Sequence, residues 1–478
     1  MLSLSSTHLD REEINQVFKK QKATALAWRK SSHAERSDRL KKLRTWILNH
    51  KADIRTAVAA DFKKPVAEVD LSEIFPVTSE IKHTLAHLKS WMKGKSVSTP
   101  LPMLGTQGRV IPEAKGVSLI IAPWNYPFNL AIGPLVSALA AGCTAIIKPS
   151  EMTPHTSKLI EKLIQEVFKE DEVAVFQGDA SVSQALLELP FDHIFFTGSP
   201  QVGKIVMKAA AEHLTSVTLE LGGKSPAIIQ KGASLKDAAG KLVVGKYLNC
   251  GQTCVAPDYI LVHQEDRDTL LDEMKVFIQK AYDPDFKGIE ATPDYARIVN
   301  DKHYERLISL MTDAQDKGAI LAFGGNYDPH TRYIEPCILN DVTMDMKVME
   351  EEIFGPILPI MTYENLDEAI ALVNSLPKPL ALYFFGEDGA AKNQVLSETS
   401  SGNAVINDCV LHFLHNDLPF GGVNNSGIGK AHGYYGFLAF SNEKGILTQR
   451  VGTTSSTLLN PPYGTRTKQI LSTLIKWF

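Results

Sequence analysis

Two cysteines four residues apart, Cys250 and Cys254, stand in the stretch LNCGQTCVAPDY (residues 248–259). A thiol at such a spacing can be a metal ligand, half of a disulfide or a nucleophile, because the thiolate serves all three chemistries. Tetrahedral zinc needs four ligands, and neither a second cysteine pair nor a histidine cluster stands nearby. No metal is expected. Gly251 and Pro257 mark a loop or helix edge, a setting that can activate a thiol. Cys254 is the candidate nucleophile, and Cys250 is expected to pack as a small hydrophobe. A regulatory disulfide between the two stays open, since bridging requires only that the Cα atoms approach within ~7 Å.

A nucleophile needs a base and a group to receive the charge it creates. Glu220 closes the apolar segment TLEL before Gly222 and Gly223. A carboxylate among apolar neighbours has a raised pKa and can act as a general base; the plainer reading is a turn residue. Asn125 lies between Trp124 and Tyr126 in APWNYPFNL, with Pro123 and Pro127 stiffening the turn. Its amide can donate to a developing oxyanion or simply shape an aromatic loop.

Two further segments suit a nucleotide. FDHIFFTGSPQVGK runs an apolar strand into Gly198 and Ser199 and then into a helix carrying Gly203. A helix N-terminus suits a phosphate. The spacing is not the Rossmann G-x-G-x-x-G, and Ile205 replaces the Ser/Thr of a P-loop, so a structural turn is the alternative. Lys148 and Glu151 in TAIIKPSE follow another strand, where they could bond ribose hydroxyls or form a surface ion pair.

These residues must be positioned by alternating elements. Apolar runs such as VSLIIA, TAIIKP, VAVFQG and HIFFTG each precede a helical pattern. Continuous apolar runs are strands buried on both faces, and the βα repeat implies a parallel, doubly wound sheet. Amphipathic helices fill residues 8–60 and about 71–92, and GKSVSTPLPMLGTQ is a loop. A second alternating region follows SVTLELGGKSPAII, with helices near 234–249, 266–282, 301–317 and 366–375 and strands near 258–263, 381–385 and 403–406. The fold class expected is α/β with more than one domain.

Length and composition agree. The 478 residues are 44% hydrophobic and 22% charged, with a net charge of −4, an ordinary globular profile without the basic stripe of a nucleic-acid protein. Five cysteines are too few for a disulfide framework, which points to a reducing, cytoplasmic setting. The N-terminus does not read as a signal peptide, and no run of about 18 apolar residues is present.

Taken in order, PWNYPFNL, IIKPSE, FTGSPQVGK, LELGGKSP, GQTCVAPDY, EEIFGPILPI and LPFGGVNNSGIGKAHG resemble the NAD(P)-dependent aldehyde dehydrogenase superfamily from about residue 15 to 450. CGQTCVAPDYIL, PKPLALYFF and SGNAVINDCVLHF resemble its class 3 branch, which includes aromatic and fatty aldehyde dehydrogenases. Cys250 departs from the small residue usual at that position.

The resemblance implies a Rossmann-like cofactor domain, an α/β catalytic domain and a small β bridging arm that makes a homodimer. The boundaries expected are N-terminal helices over 1–96, arm strands over 97–115, the cofactor domain over 116–219 and the catalytic domain over 220–415. A return to the cofactor domain and arm over 416–464 and an amphipathic tail over 465–478 complete the chain. It further implies Cys254 as nucleophile, Asn125 with the Cys254 N–H as oxyanion donors, and Glu220 as the base that hydrolyses a thioester. Lys148 and Glu151 would bind the adenosine ribose, Gly198, Ser199 and Gly203 would line the pyrophosphate turn, and Glu352 would bind the nicotinamide ribose with Phe354 beside the ring. NAD is the expected cofactor, with NADP possible, and the substrate is a medium or long aliphatic or an aromatic aldehyde. The alternatives are a coenzyme A-acylating dehydrogenase and a non-catalytic derivative of the scaffold. In the tail, Ile470, Leu471, Leu474, Ile475 and Phe478 share one helical face. That face is expected to pack on the body or a dimer partner, with a membrane-surface helix or a substrate gate as the alternative.

Overall fold

The computed structural model describes residues 11–452, 454, 457 and 459–477. The start of the stretch read against a signal peptide and Phe478 of the tail lie outside the described residues. Two parallel sheets organise the chain. The first has six strands, in the order Gly427–Ile428, Ser216–Leu221, His193–Gly198, Val117–Ile121, Thr144–Lys148, Val173–Val175; all run parallel except Gly427–Ile428. The chain builds outward from Val117–Ile121 in one direction, then returns to add His193–Gly198 on its other side. The carboxyl ends of those two strands flank the crevice where such sheets bind ligands.

The continuous apolar runs are explained by burial on both faces. Ile120, Ile147 and Phe195 pack with the N-terminal helices and with Asn129–Ala141 on one side. Their neighbours Leu119, Ile121, Ile146, Ile194 and Phe196 pack with helices Arg11–Trp28, Ala180–Leu187 and Pro200–Ala211 on the other. Side chains alternate across a strand, so each run feeds two cores.

The second sheet has seven strands: Ile320–Phe323, Cys337–Asn340, Ile357–Tyr363, Tyr259–His263, Pro226–Ile229, Ala381–Phe385, Asn403–Ile406, with only the first antiparallel. The chain passes between the sheets from Leu221 to Pro226. Glu220 therefore belongs to the first sheet, paired with Thr197 and Gly427, rather than opening the second. A third, antiparallel sheet joins Lys95–Val97, Thr106–Ala114 and Ser441–Gln449. The arm segment thus holds a short 3-10 turn, Leu101–Met103, between its two strands.

Beneath the Asn125 loop lies a fully buried ion pair. Lys64 Nζ donates to Glu73 Oε1 at 2.7 Å and to the Asn125 carbonyl at 3.1 Å, and it sits 4.0 Å from the centre of the Tyr126 ring. Glu73 Oε2 accepts the Asn129 N–H at 2.9 Å. Removing one partner of a buried pair strands the other charge. Lys64→Met is expected to destabilise the fold by about 3–5 kcal/mol, read as a clear fall in apparent Tm. An unchanged melting curve would show that this pair does not hold the loop.

Candidate active site

Three segments meet between the two sheets. The first is the turn after Val117–Ile121. Asn125 is buried there, and it is bonded to the cysteine loop from both directions. Its Nδ2 donates to the Gln252 carbonyl at 3.0 Å, and its own carbonyl accepts from Asn249 Nδ2 at 2.9 Å. Tyr126 OH meets Thr253 Oγ1 at 2.5 Å. The oxyanion candidate is thereby bonded to Gln252, two residues before Cys254.

The second segment is the cysteine loop. Asn249 and Cys250 both adopt left-handed backbone at φ 55°, followed by Gly251 at φ 73°. Two successive non-glycine residues in this region are costly and persist only when their surroundings fix them. The fixing contacts are present. The Asn249 N–H donates to Glu68 Oε2 at 2.9 Å, a carboxyl that burial lifts to a pKa of about 7. Gln252 Nε2 donates to the carbonyls of Asn249 and Arg297, each at 3.0 Å, and its Oε1 accepts the Val299 N–H at 3.0 Å. A Cβ on Gly251 would lie 2.2 Å from the Gly355 carbonyl oxygen, so only glycine lets the two loops meet.

This coil separates the two cysteines. Cys250 is fully buried and its Sγ lies 3.3 Å from Tyr295 OH. Cys254 is partly exposed and lines a cavity. All five cysteines are free thiols, so Cys250 packs in the core and is unpaired with Cys254. Burial pushes the Cys254 thiol up to about 12, and the charges of Glu352 and Glu220 add to that, against its own N–H and that of Val255.

That cavity is largely apolar. Phe195, Thr197 and Leu221 face it from the first sheet, with Val255, Leu380 and Phe413 opposite. Glu220 enters it from the end of its strand. Both carboxylate oxygens are buried, with no hydrogen-bond partner among the described residues. Burial raises this group well above the usual carboxylate value, and Lys430 pulls the other way. An orphaned buried carboxylate facing a thiol is what a general base awaiting water requires.

The third segment is the loop of Glu352 and Phe354. Lys224, just past the double glycine, spends all three ammonium hydrogens on it and its neighbour. It donates to Asp258 Oδ2 at 2.5 Å, to the Val348 carbonyl at 2.6 Å and to the Glu351 carbonyl at 3.1 Å. Asp258 Oδ1 accepts the Ile353 N–H at 3.0 Å. Glu352 is carried directly over Gly222, where a Cβ would lie 2.0 Å from its Oε2. Burial, then the charge of Asp258, raises Glu352 to about 8. Phe354, at φ 51°, meets the edge of Trp124 at 5.3 Å between ring centres.

The nucleotide candidates cluster at the carboxyl ends of the first sheet. Lys148 ends its strand, is almost wholly buried, and pairs with the half-exposed Glu151 at 2.5 Å. Gly198 ends the strand and Ser199 caps helix Pro200–Ala211, accepting the Val202 N–H at 3.4 Å. Gly203 lies inside that helix. A Cβ there would come 2.8 Å from Leu221, so the glycine lets the helix pack closely on the sheet at this turn. A capped helix start beside a buried cation at strand ends fits the phosphate and ribose of a dinucleotide. Among the described residues, no cluster of His, Cys, Asp or Glu could hold a metal ion.

Sequence reasoning missed Lys224, Asp258, Gln252 and Lys64. Lys224 and Asp258 stand in motifs that were singled out, LELGGKSP and VAPDY, but a surface-type residue in a motif does not reveal that it is buried. Gln252 stands beside the nucleophile candidate in GQTCVAPDY, where its type does not reveal its bonds, and Lys64 carries no sequence signal at all.

The comparisons agree with this geometry. The aldehyde dehydrogenase family matches residues 4–446. The chain is 47% identical over 435 residues to the 4,4'-diaponeurosporen-aldehyde dehydrogenase of Staphylococcus aureus, covering 91% of this chain and 93% of that one. It is 42% identical over 433 residues to aldehyde dehydrogenase family 3 member A2 of Pongo abelii, covering 91% and 88%. A solved substrate-bound Staphylococcus aureus AldH superposes with a TM-score of 0.91 at 44% identity, covering 96% of this chain and 99% of that one. With this match across nearly its whole length, the chain belongs to the aldehyde dehydrogenase family, an NAD- or NADP-dependent enzyme with class 3 relatives.

Proposed function

We propose that Cys254, Asn125 and Glu220 oxidise apolar aldehydes to carboxylic acids through a covalent acyl-enzyme. One observation carries this reading: Cys254 and the unpartnered, buried Glu220 face the same apolar cavity. An aldehyde has no leaving group, so its hydrogen leaves as hydride only if a negative oxygen drives it out. Addition of the Cys254 sulfur creates that oxygen. The spare hydrogen of Asn125 Nδ2 and the Cys254 N–H are the donors that would stabilise it.

NAD(P), when bound, supplies the hydride acceptor. Lys148 and Glu151 would hold its adenosine ribose, Gly198 and Ser199 its pyrophosphate, and Glu352 the nicotinamide ribose, with Phe354 beside the ring. Glu151 disfavours a 2′-phosphate by charge, which favours NAD. The thioester left on Cys254 must then be hydrolysed. Glu220 takes a proton from water, hydroxide adds to the thioester carbon, the C–S bond breaks, and the acid departs.

The apolar lining supports medium or long aliphatic and aromatic aldehydes. A second, mostly apolar groove, sharing Ser72, Val410 and Phe413 with the first, extends the space available to a long chain. The three-stranded sheet supports a homodimer: along Ser441–Gln449 nearly every residue is exposed, including Ile446 and Leu447. The low, odd cysteine count supports a cytoplasmic, reducing setting. No helix of the described residues is long and apolar enough to cross a membrane. The tail helix Thr465–Trp477 buries only Thr467 among its described residues and exposes Leu471, Ile475 and Trp477. This supports contact with a partner surface, a membrane surface or a bound apolar chain over packing on its own body.

Cys254→Ala is expected to abolish NADH formation while NAD binding, followed by fluorescence titration, is retained; turnover near the wild-type rate would overturn the nucleophile assignment. Glu220→Gln should keep the pre-steady-state burst of NADH and slow the later phase by 10²-fold or more, on the order of a lost general base. Loss of the burst would instead put Glu220 in the first half-reaction. Deleting residues 465–478 should lower the rate with hexadecanal more than with hexanal, and equal effects would remove the tail from the substrate path.

A further inference from the structure

The segment LPFGGVNNSGIGKAHG ends in a lysine to which the chemistry above gives no role. Its backbone is tied to the strand of Glu220. Phe420 and Ala431 close the base of the loop, with the Ala431 N–H donating to the Phe420 carbonyl at 2.7 Å. Within the loop, Gly427 and Ile428 pair with Glu220 and Leu219. Lys430 therefore has little freedom to move away from the general base.

The contact runs across one glycine. A Cβ built on Gly421, at φ +145°, would lie 2.8 Å from Glu220 Oε1 and 3.1 Å from Lys430 Cδ. The carboxylate and the lysine stem border the same gap, and only the missing side chain keeps it open. Lys430 Nζ donates to the Gly421 carbonyl at 2.5 Å and to the Gly422 carbonyl at 3.4 Å. Its ammonium is thus held at the edge of the gap by neutral acceptors. It is not consumed by a carboxylate. Glu220, for its part, has no hydrogen-bond partner among the described residues.

Among the described residues, the other groups around Glu220 bring no second cation. Thr197 and Gly427, its partners on either side in the sheet, are uncharged. Cys254 faces it as a thiol whose ionisation Glu220 itself opposes. His432 lines the same cavity, but its Nδ1 is 3.4 Å from Glu80 Oε2. Lys430 is the charge that acts on Glu220 to favour its anion, and Glu220 is the charge that acts on Lys430.

We propose that Lys430 is a positioning residue for the general base: its ammonium, held beside Gly421, favours the Glu220 anion against its burial and so lowers the pH above which the thioester is hydrolysed. The proposal rests on Glu220 acting as that base. The proton path is unchanged. Water gives its proton to the Glu220 carboxylate, hydroxide adds to the thioester carbon, and the C–S bond breaks. Lys430 gives up no proton. It stabilises the carboxylate that must exist before each turnover. Removing the positive charge raises the pKa of the carboxylate, so less of it is ionised at a given pH, and the rising limb of the rate moves to higher pH.

The test is the rate of acyl-enzyme hydrolysis, followed after the NADH burst from pH 5.5 to 9.5. Lys430→Gln keeps amide hydrogens for the Gly421 and Gly422 carbonyls and removes the charge; Lys430→Met removes both; Lys430→Arg keeps the charge. The limb should move up in the Gln and Met variants, slowing hydrolysis below the midpoint about tenfold per unit of movement. It should stay near the wild-type position in the Arg variant, and the burst amplitude should be kept in all three. A limb in Lys430→Gln that overlies the wild type would overturn the proposal. Wild-type hydrolysis in Glu220→Gln would instead overturn the reading of the base itself, so the two failures are distinguishable.

Discussion

A single buried ion pair, Lys224 with Asp258, ties together the segments that carry Glu220, Cys254 and Glu352. Lys224 follows the turn that leaves the strand of Glu220, and Asp258 follows the nucleophile loop at the start of Tyr259–His263. Between them they bond the carbonyls of Val348 and Glu351 and the N–H of Ile353. Glu220, Cys254 and Glu352 come from three separate segments of the sequence, yet those segments are tied by two side chains. Such a pair lasts because every donor on the ammonium is used and both carboxylate oxygens are engaged.

The same burial that makes the pair necessary tunes the chemistry. Glu220 and Cys254 share an apolar cavity, so each opposes the ionisation of the other. A thiolate and a carboxylate standing together there would repel, and burial discourages both. The cavity therefore favours one negative charge at a time, which suits a reaction in two halves. In the mechanism we propose, the thiolate is needed first, and the carboxylate is needed after the sulfur has become a neutral thioester. Left-handed backbone at Asn249 and Cys250 aims one thiol into this cavity and buries the other against Tyr295.

Much of this was legible in the sequence because it is written in local pattern. Apolar runs buried on both faces identified Val117–Ile121, Thr144–Lys148 and His193–Gly198 as strands, and the glycines and prolines at their ends marked the site loops. The resemblance then joined Cys254, Glu220 and Asn125 across the chain. Short strands such as Ile320–Phe323 and Cys337–Asn340, and Ile357–Tyr363 with its internal Pro359, were not legible, since their period is too brief or is broken. Nor were the buried charges. Lys64, Lys224 and Lys430 look like any surface lysine until the fold brings a carboxylate or a carbonyl to each. Spacing also did not show that Gly203, read as lining the phosphate turn, packs closely on Leu221.

The central claim is that the acyl group is carried by Cys254 and by no other thiol. It is tested most directly by acid-quenching the Glu220→Gln enzyme during turnover of an aldehyde with NAD and locating the acyl adduct by tandem mass spectrometry. The account predicts one acyl group per chain on Cys254, with Cys250 in the same peptide unmodified. NADH formed in stoichiometric amount with the adduct on another residue, or with none, would contradict it.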